Sequence, residues 1–372
     1  MRIASIHLPS FSLQAAIAAA PERIALAARP VAVVDAASPV VTACSRAAWA
    51  RGVRPGMVAA VARSHADDLV TLVRDPAGDA EVLRSLADEL LAMCPVVDLG
   101  GEPRGQHHAM YVEVPAGKRG ASFGAKLVEL FRERGLHVRV GIADDRFTAA
   151  VAAASGDGDG AVTCVPRGGS AAFLAPHPLG LLALPPEVQH MLECLGVKTL
   201  GAFADLPPPS VARAWDADLQ ALARGDSGAR LTPYQPAPRW RERVHVDDSL
   251  GQAVQTLATR VAARLASRGG ASTQLALDLG APPPVMVELD AGATAGEVGD
   301  ALTRAIGDAA PAVLDLVPAT TPEPVVTAPP APPLVLTAVP SILGERPEHR
   351  RTRRGKQRPR IAPGQARLFT ES

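Results

Sequence analysis

This chain is short of aromatic residues, cysteine and lysine, and it carries no net charge. The aromatic fraction is 3% while Ala, Val, Leu and Arg dominate, a bias of GC-rich coding rather than of function. The four cysteines, Cys44, Cys94, Cys164 and Cys194, stand far apart and form no Cys-x-x-Cys. That spacing argues against a zinc motif or a disulfide framework and fits a reducing compartment. No clean run of 18 apolar residues exists, so no membrane span and a cytoplasmic location are expected. The apolar start, with Ala16-Ile17-Ala18-Ala19-Ala20, has the look of a secretory leader. Pro9, Ser10, Ser12 and Gln14 interrupt it and a second strand-like run follows at once, against that reading. The zero net charge is unevenly spread. Residues 345–360 hold eight Lys/Arg against two Glu, and one residue of each sign follows, which leaves residues 1–344 at −6. A body that is acidic overall is no obvious nucleic-acid binder, although a local basic face is compatible with it.

What is present is a long alternation of strands and helices. At 372 residues two to four domains are expected. Residues 2–8, 30–34 and 40–43 read as strands, 12–20 and 46–51 as helices. Residues 79–93 place Val82, Leu83, Leu86, Leu90 and Leu91 on one helical face. Strands are predicted over 96–99, 110–114 and 137–141, and helices over 124–134 and 146–154. The run Gly156-Asp157-Gly158-Asp159-Gly160 is a turn, because the remaining ligands of a calcium loop do not follow. Residues 185–223 read as helices broken at Gly196 and Pro207–Pro209, and 233–239 as a Pro-rich linker. A last unit has αββαβ order: Ser249 can cap a helix carrying Leu250, Val254, Leu257, Val261 and Leu265, followed by strands 273–279 and 285–290, helix 296–309 and strands 312–317 and 334–339. Arg243–Val246 can supply an earlier strand. Mixed alternation of this kind indicates α/β or α+β packing.

Several segments, in order, resemble the Y-family (translesion) DNA polymerases. These are the opening strand 2–11, Arg29-Pro30-Val31-Ala32-Val33, the turn Gly52-Val53-Arg54-Pro55-Gly56-Met57, Val140-Gly141-Ile142-Ala143 with Arg146-Phe147-Thr148-Ala149, and Leu195-Gly196-Val197-Lys198-Thr199-Leu200-Gly201 with Leu206-Pro207. The resemblance implies an α+β multidomain fold. It would comprise a palm over 1–165 with fingers inserted at about 22–75, a helical thumb with a helix-hairpin-helix over 166–232, and a linker over 233–240. A little-finger-like α/β domain over 241–340 and a disordered basic tail over 341–372 would complete it. The tail reading also follows from composition, since the segment is basic, rich in Pro and Gly and almost free of apolar residues.

The departures from that family are systematic. Where the resemblance implies Asp-x-Asp at the end of the first strand, the chain has His7-Leu8-Pro9. Where it implies two further acids, the chain has His108 and Ala109, and where it implies a Tyr and an Arg gripping the incoming triphosphate, Arg46 and Trp49. Two Mg²⁺ ions need hard oxygen ligands, which His, Pro and Ala do not offer. This pattern resembles the ImuB-type, non-catalytic branch of the family, as does Phe173-Leu174-Ala175-Pro176-His177-Pro178-Leu179. No metal, no cofactor and no enzymatic activity are expected. His7, His107 and His108 could form a new imidazole site, but the last two are adjacent on a strand and point to opposite faces. Glu113 is assigned no catalysis. The alternative is a working polymerase with carboxylates displaced to Asp35, Asp98 or Glu102.

The tail holds Gln365-Ala366-Arg367-Leu368-Phe369. Gln365, Leu368 and Phe369 resemble the bacterial sliding-clamp-binding pentapeptide, whereas Ala366 and Arg367 depart from it. Such a peptide seats apolar side chains in a pocket and is oriented by its Gln. Gln274–Leu279 alternates like a strand and lacks the terminal Phe. Arg350, Arg351, Arg353, Arg354, Lys356, Arg358 and Arg360 could touch DNA phosphates without sequence choice. The resemblance implies an adaptor of a bacterial translesion (SOS mutagenesis) complex. Its partners would be the clamp, a RecA-like accessory protein, an error-prone replicative-type polymerase subunit and primer-template DNA. A DNA-binding scaffold without a clamp role is a further alternative.

Overall fold

The computed structural model describes residues 1–319 apart from 21–22, 27, 101–107, 183, 208–216, 229, 248 and 281. The chain opens with β1 (Ile3–Leu8) and α1 (Phe11–Ala19). It then passes through α2 (Arg23–Leu26), β2 (Val31–Val34), β3 (Val41–Cys44), α3 (Arg46–Ala50), α4 (Ala59–His65) and β4 (Val70–Val73). Next come α5 (Pro76–Leu91), β5 (Val97–Asp98), β6 (His108–Glu113), α6 (Gly120–Glu133), β7 (Arg139–Ala143), α7 (Arg146–Ala154) and β8 (Val162–Cys164). A helical stretch follows: α8 (Ser170–Leu174), a 3-10 turn at Leu179–Leu181, α9 (Pro186–Cys194), α10 (Leu200–Ala204) and α11 (Ala217–Ala223). The last described unit is β9 (Glu242–His245), α12 (Leu250–Ala266), β10 (Thr273–Asp278), β11 (Val285–Leu289), α13 (Ala295–Ile306) and β12 (Val313–Pro318).

β1 lies at the centre of a five-stranded sheet of order β5-β6-β1-β7-β8. It is antiparallel to both β6 and β7, and every one of its residues is buried. One face, carrying Ala4, Ile6 and Leu8, packs on Leu83, Leu86 and Leu90 of α5 and on Phe123, Leu127 and Phe131 of α6. The opposite face, with Ile3 and Tyr111, packs on Ala149, Ala150 and Ala152 of α7. Asp145 starts α7 by accepting the Thr148 amide at 2.9 Å. α7 lies so close to β7 because Gly141 has no side chain: a Cβ there would sit 2.2 Å from the Ala149 carbonyl oxygen.

Between α1 and α5 the chain forms a separate three-stranded sheet of order β3-β2-β4, with β4 parallel to β2. The turn 52–56 of this unit closes with Gly52 at φ 94° and Gly56 at φ 87°, a region that L side chains rarely adopt. The helical stretch buries Leu174, Leu179, Leu192, Leu200 and Phe203 against Phe147 and Val151 of α7. The last unit is a four-stranded sheet of order β11-β10-β12-β9 with α12 and α13 on one face, so β9 supplies the earlier strand and gives βαββαβ order. The strand expected at 334–339 lies outside the described residues.

The first and last units meet through charge. Arg264 of α12, 1% exposed, donates to Asp88 (2.8 Å) and Glu81 (2.7 Å) of α5 and to Glu242 of β9 (2.8 Å). Arg268 adds a bond to Asp88 at 3.0 Å, and Arg134 bonds Glu89 and Ser85 beside them. The segment leading into this unit is also anchored, with the Tyr234 amide donating to the Val97 carbonyl at 2.7 Å.

Candidate functional site

The pairing of β1 with β6 brings His7, Leu8, His108 and Ala109 together, with His7 opposite Ala109 and Leu8 opposite His108. Residues directly opposite share a face, and neighbours along a strand alternate. His108 therefore lies on the Leu8 face, where its ring stands 5.8 Å from that of Phe11. His7 and Ala109 lie on the Tyr111 face. The two imidazoles thus project to opposite sides of the sheet and cannot share one ion. His107 lies outside the described residues. Among the described residues, no three His, Cys, Asp or Glu side chains are grouped to hold a metal.

His108 is 5% exposed. Burial pulls its imidazole down to about 4, against the opposing pull of the Leu99 backbone and the Asp98 charge. The ring is therefore neutral at pH 7, and its Nε2 is buried without a hydrogen-bond partner. Beside it, on the other face, Arg146 stacks its guanidinium carbon 4.1 Å from the Tyr111 ring centroid and donates to Asp98 at 3.1 Å. Burial raises the Tyr111 phenol and the Arg146 cation opposes that rise. Asp98 also accepts the Gly100 amide at 2.7 Å and the Thr232 amide at 2.9 Å. Both its oxygens accept hydrogen bonds, and Arg146 balances its charge. Asp35 follows β2 in the separate sheet, and Glu102 lies outside the described residues. The Tyr111–Arg146–Asp98 stack is not legible in the sequence. Its signal is the register of β5 on β6, which sets Asp98 opposite Tyr111.

A pair of Mg²⁺ ions at this strand end would need hard oxygen ligands in close array. The residues present do not fit them: two imidazoles on opposite faces, a proline ring and a methyl group supply no pair of hard oxygens.

The second place singled out in the sequence is α3. Ser45 caps it by accepting the Ala48 amide at 3.2 Å. Ala48 is buried, while Arg46 and Trp49, three residues apart on the other side, are exposed. The remaining site residues, Gln365, Leu368 and Phe369 and the cations of 350–360, lie outside the described residues.

A sheet unit with a smaller sheet inserted after its first strand and helix, then a helical unit, then a βαββαβ unit, is the Y-family polymerase fold. The chain shares that fold over 86% of its length with DinB from Sulfolobus solfataricus (TM-score 0.50, 12% identity, 98% of that chain). The same coverage relates it to an insertion ternary complex of Dbh DNA polymerase (TM-score 0.51, 12% identity, 98% of that chain). Residues 6–154 are similar to the model of the impB/mucB/samB family. In sequence it is similar to Protein ImuB of two Caulobacter vibrioides strains, NA1000 / CB15N and ATCC 19089 / CIP 103742 / CB 15. Each is 27% identical over 235 residues, which is 59% of this chain and 49% of theirs. The chain spans about half the length of these curated relatives. Among the described residues no helix is long and apolar enough to cross a membrane.

Proposed function

We propose that this chain is a non-catalytic adaptor of translesion synthesis. It tethers an error-prone polymerase to the sliding clamp at damaged DNA. The observation that carries this reading is the end of β1 against β6, where His7 faces Ala109 and Leu8 faces His108. That surface offers no pair of oxygens to stabilise the attacking and leaving oxygens of nucleotidyl transfer. Its neighbour Asp98 is taken up by Arg146 and two backbone amides. A polymerase body without that chemistry is useful through what it holds. Gln365, Leu368 and Phe369 would seat in the clamp, and the basic run 350–360 would rest on nearby phosphates. The body would hold a RecA-like accessory protein, the polymerase subunit and primer-template DNA. A flexible link raises local partner concentration without new chemistry.

The test is clamp affinity of the intact chain and of a Leu368→Ala/Phe369→Ala variant, with primer extension run on the same preparation. Two apolar side chains at about 1.5 kcal/mol or more each correspond to a loss of roughly 100-fold or more. Loss in the variant with no extension by the intact chain supports the adaptor. Metal-dependent extension overturns it, and absence of clamp binding by the intact chain puts a DNA scaffold in its place.

A further inference from the structure

We propose that Trp49 and Arg54 form a stacking site for an unpaired nucleobase of single-stranded DNA. The proposal goes beyond the adaptor reading and stands whether or not the tail binds a clamp. It starts from an anomaly of exposure. In a chain with only three tryptophans, Trp49 leaves half of its surface in water. It is the largest apolar side chain among the exposed ones of the described residues, and Val58 and Val61 of the same unit are exposed as well.

The ring is held. The Arg54 guanidinium carbon lies 4.0 Å from the indole centroid, and Arg54 Nη1 donates to the Trp49 carbonyl at 2.6 Å and the Val53 carbonyl at 2.8 Å. The guanidinium is thus fixed by two backbone oxygens before it touches the ring. The tight glycine turn at 52–56 returns the chain to make this contact. One face of the indole is covered by a cation, and the exposed remainder is available to a planar ligand. A partner ring would find the platform already ordered, which lowers the entropy lost on binding.

Charge selects the ligand. Between Asp35 and Asp67 the sequence has no carboxylate and four arginines, Arg46, Arg51, Arg54 and Arg63. Arg51 pairs with Asp68 and Arg63 bonds Thr71, while Arg46 is exposed one helical turn before Trp49. An aromatic platform in a cationic field suits a flat ring carried on a polyanion, and bases stack on indole with little regard to sequence. An acidic peptide satisfies the charge alone. The proposed ligand is a base of a strand rather than a free nucleotide, since its affinity draws on phosphates either side.

The test compares the full chain with Trp49→Ala and Trp49→Phe on two probes of equal length. One is an oligothymidylate of about 20 nucleotides, and the other has the same backbone without bases. Stacking of one base is worth about 5-fold to 150-fold in affinity. Trp49→Ala is expected to weaken the oligothymidylate by a factor in that range and to leave the abasic strand within about 2-fold. Trp49→Phe keeps most of the binding and reports that the fold is intact. Phosphate contacts from the basic tail act on both probes and cancel. Oligothymidylate is also expected to quench the intrinsic fluorescence of the full chain more than that of Trp49→Ala. Equal losses on the two probes overturn the proposal. So does unchanged oligothymidylate affinity in Trp49→Ala, including the case in which that variant loses a protein partner instead. Clamp affinity is measured alongside: its loss in the tail variant and persistence in Trp49→Ala separate this site from the tether.

Discussion

His108 shows how far one residue can move the chemistry of a strand end. A carboxylate at this position would need solvent, an ion or a cation to remain charged, because burial penalises the charged form. The imidazole meets the same penalty by staying neutral, with its pKa pulled down to about 4. The pH dependence follows from that direction. In the unfolded chain the ring titrates near 6.5, so below that pH the unfolded state takes up a proton that the native state refuses. Native stability from this group is complete above about pH 6.5 and falls as pH drops towards 4, by about 3 kcal/mol in all. His108→Leu removes both this term and the unpartnered Nε2, which together outweigh the single hydrogen bond to the Leu99 backbone that is lost with them. The variant is expected to gain stability over the natural chain, and the gap should widen between pH 6.5 and 4. Urea midpoints at three pH values in that interval check it; a constant gap would sink the account.

At the scale of elements, much of the architecture is legible where amphipathic periodicity is strong. α12 runs over Leu250–Ala266 with Ser249 accepting the Gln252 amide, as its cap and apolar stripe indicate. β1, β6, β7 and α7 likewise fall close to their expected places. β4, α4 and β8 were not read from sequence. β4 (Val70–Val73) has no fully buried residue, and β8 is three residues long on the edge of its sheet. Both are short edge strands, fixed by tertiary pairing more than by their own pattern. The site divides the same way. The residue types at His7, Pro9, His108 and Ala109 are plain in the sequence, but the face that each occupies needs the β1–β6 register. The Arg146 stack likewise needs β5 beside β6. Gly141 is legible as a motif and explained only by α7, whose Ala149 oxygen and Ala153 nitrogen would lie 2.2 and 2.3 Å from an added Cβ. Both are backbone atoms of a packed helix and cannot swing aside. Gly141→Ala is expected to cost about 3 kcal/mol or more. A denaturation midpoint within about 0.5 kcal/mol of the natural chain would show that α7 can retreat from β7.

For the whole molecule, the decisive joint is the charged one between α5 and α12. Burial works against the charge on Arg264, but Glu242, Asp88 and Glu81 outweigh it and raise its pKa. Glu242 is the mirror case: burial raises its carboxyl, yet Arg134 and Arg264 bring it below the ordinary carboxylate range. A buried network of this kind adds little over a well-packed apolar joint, but removing one partner strands the others without compensation. Arg264→Ala leaves Asp88 and Glu242 buried with fewer cations, at a cost of about 3–5 kcal/mol. The loss should be greatest near neutral pH. In the variant Glu242 keeps Arg134 but loses Arg264, so it takes up a proton at a higher pH than in the natural chain, and protonation relieves part of the stranded charge. The gap between variant and natural chain therefore narrows as pH falls, opposite in sense to the widening expected for His108→Leu. Trp240 supplies the readout, since it is buried with Arg264 and Arg268 at 5.6 and 5.8 Å from its ring centroid. Release of the last unit from α5 exposes that indole and shifts its emission to longer wavelength, and a Trp240→Phe control isolates the signal. Two unfolding transitions in Arg264→Ala, with the early one absent from the natural chain, would show that this arginine makes the first and last units behave as one body. A single transition at an unchanged midpoint would assign that role to the apolar contacts around it.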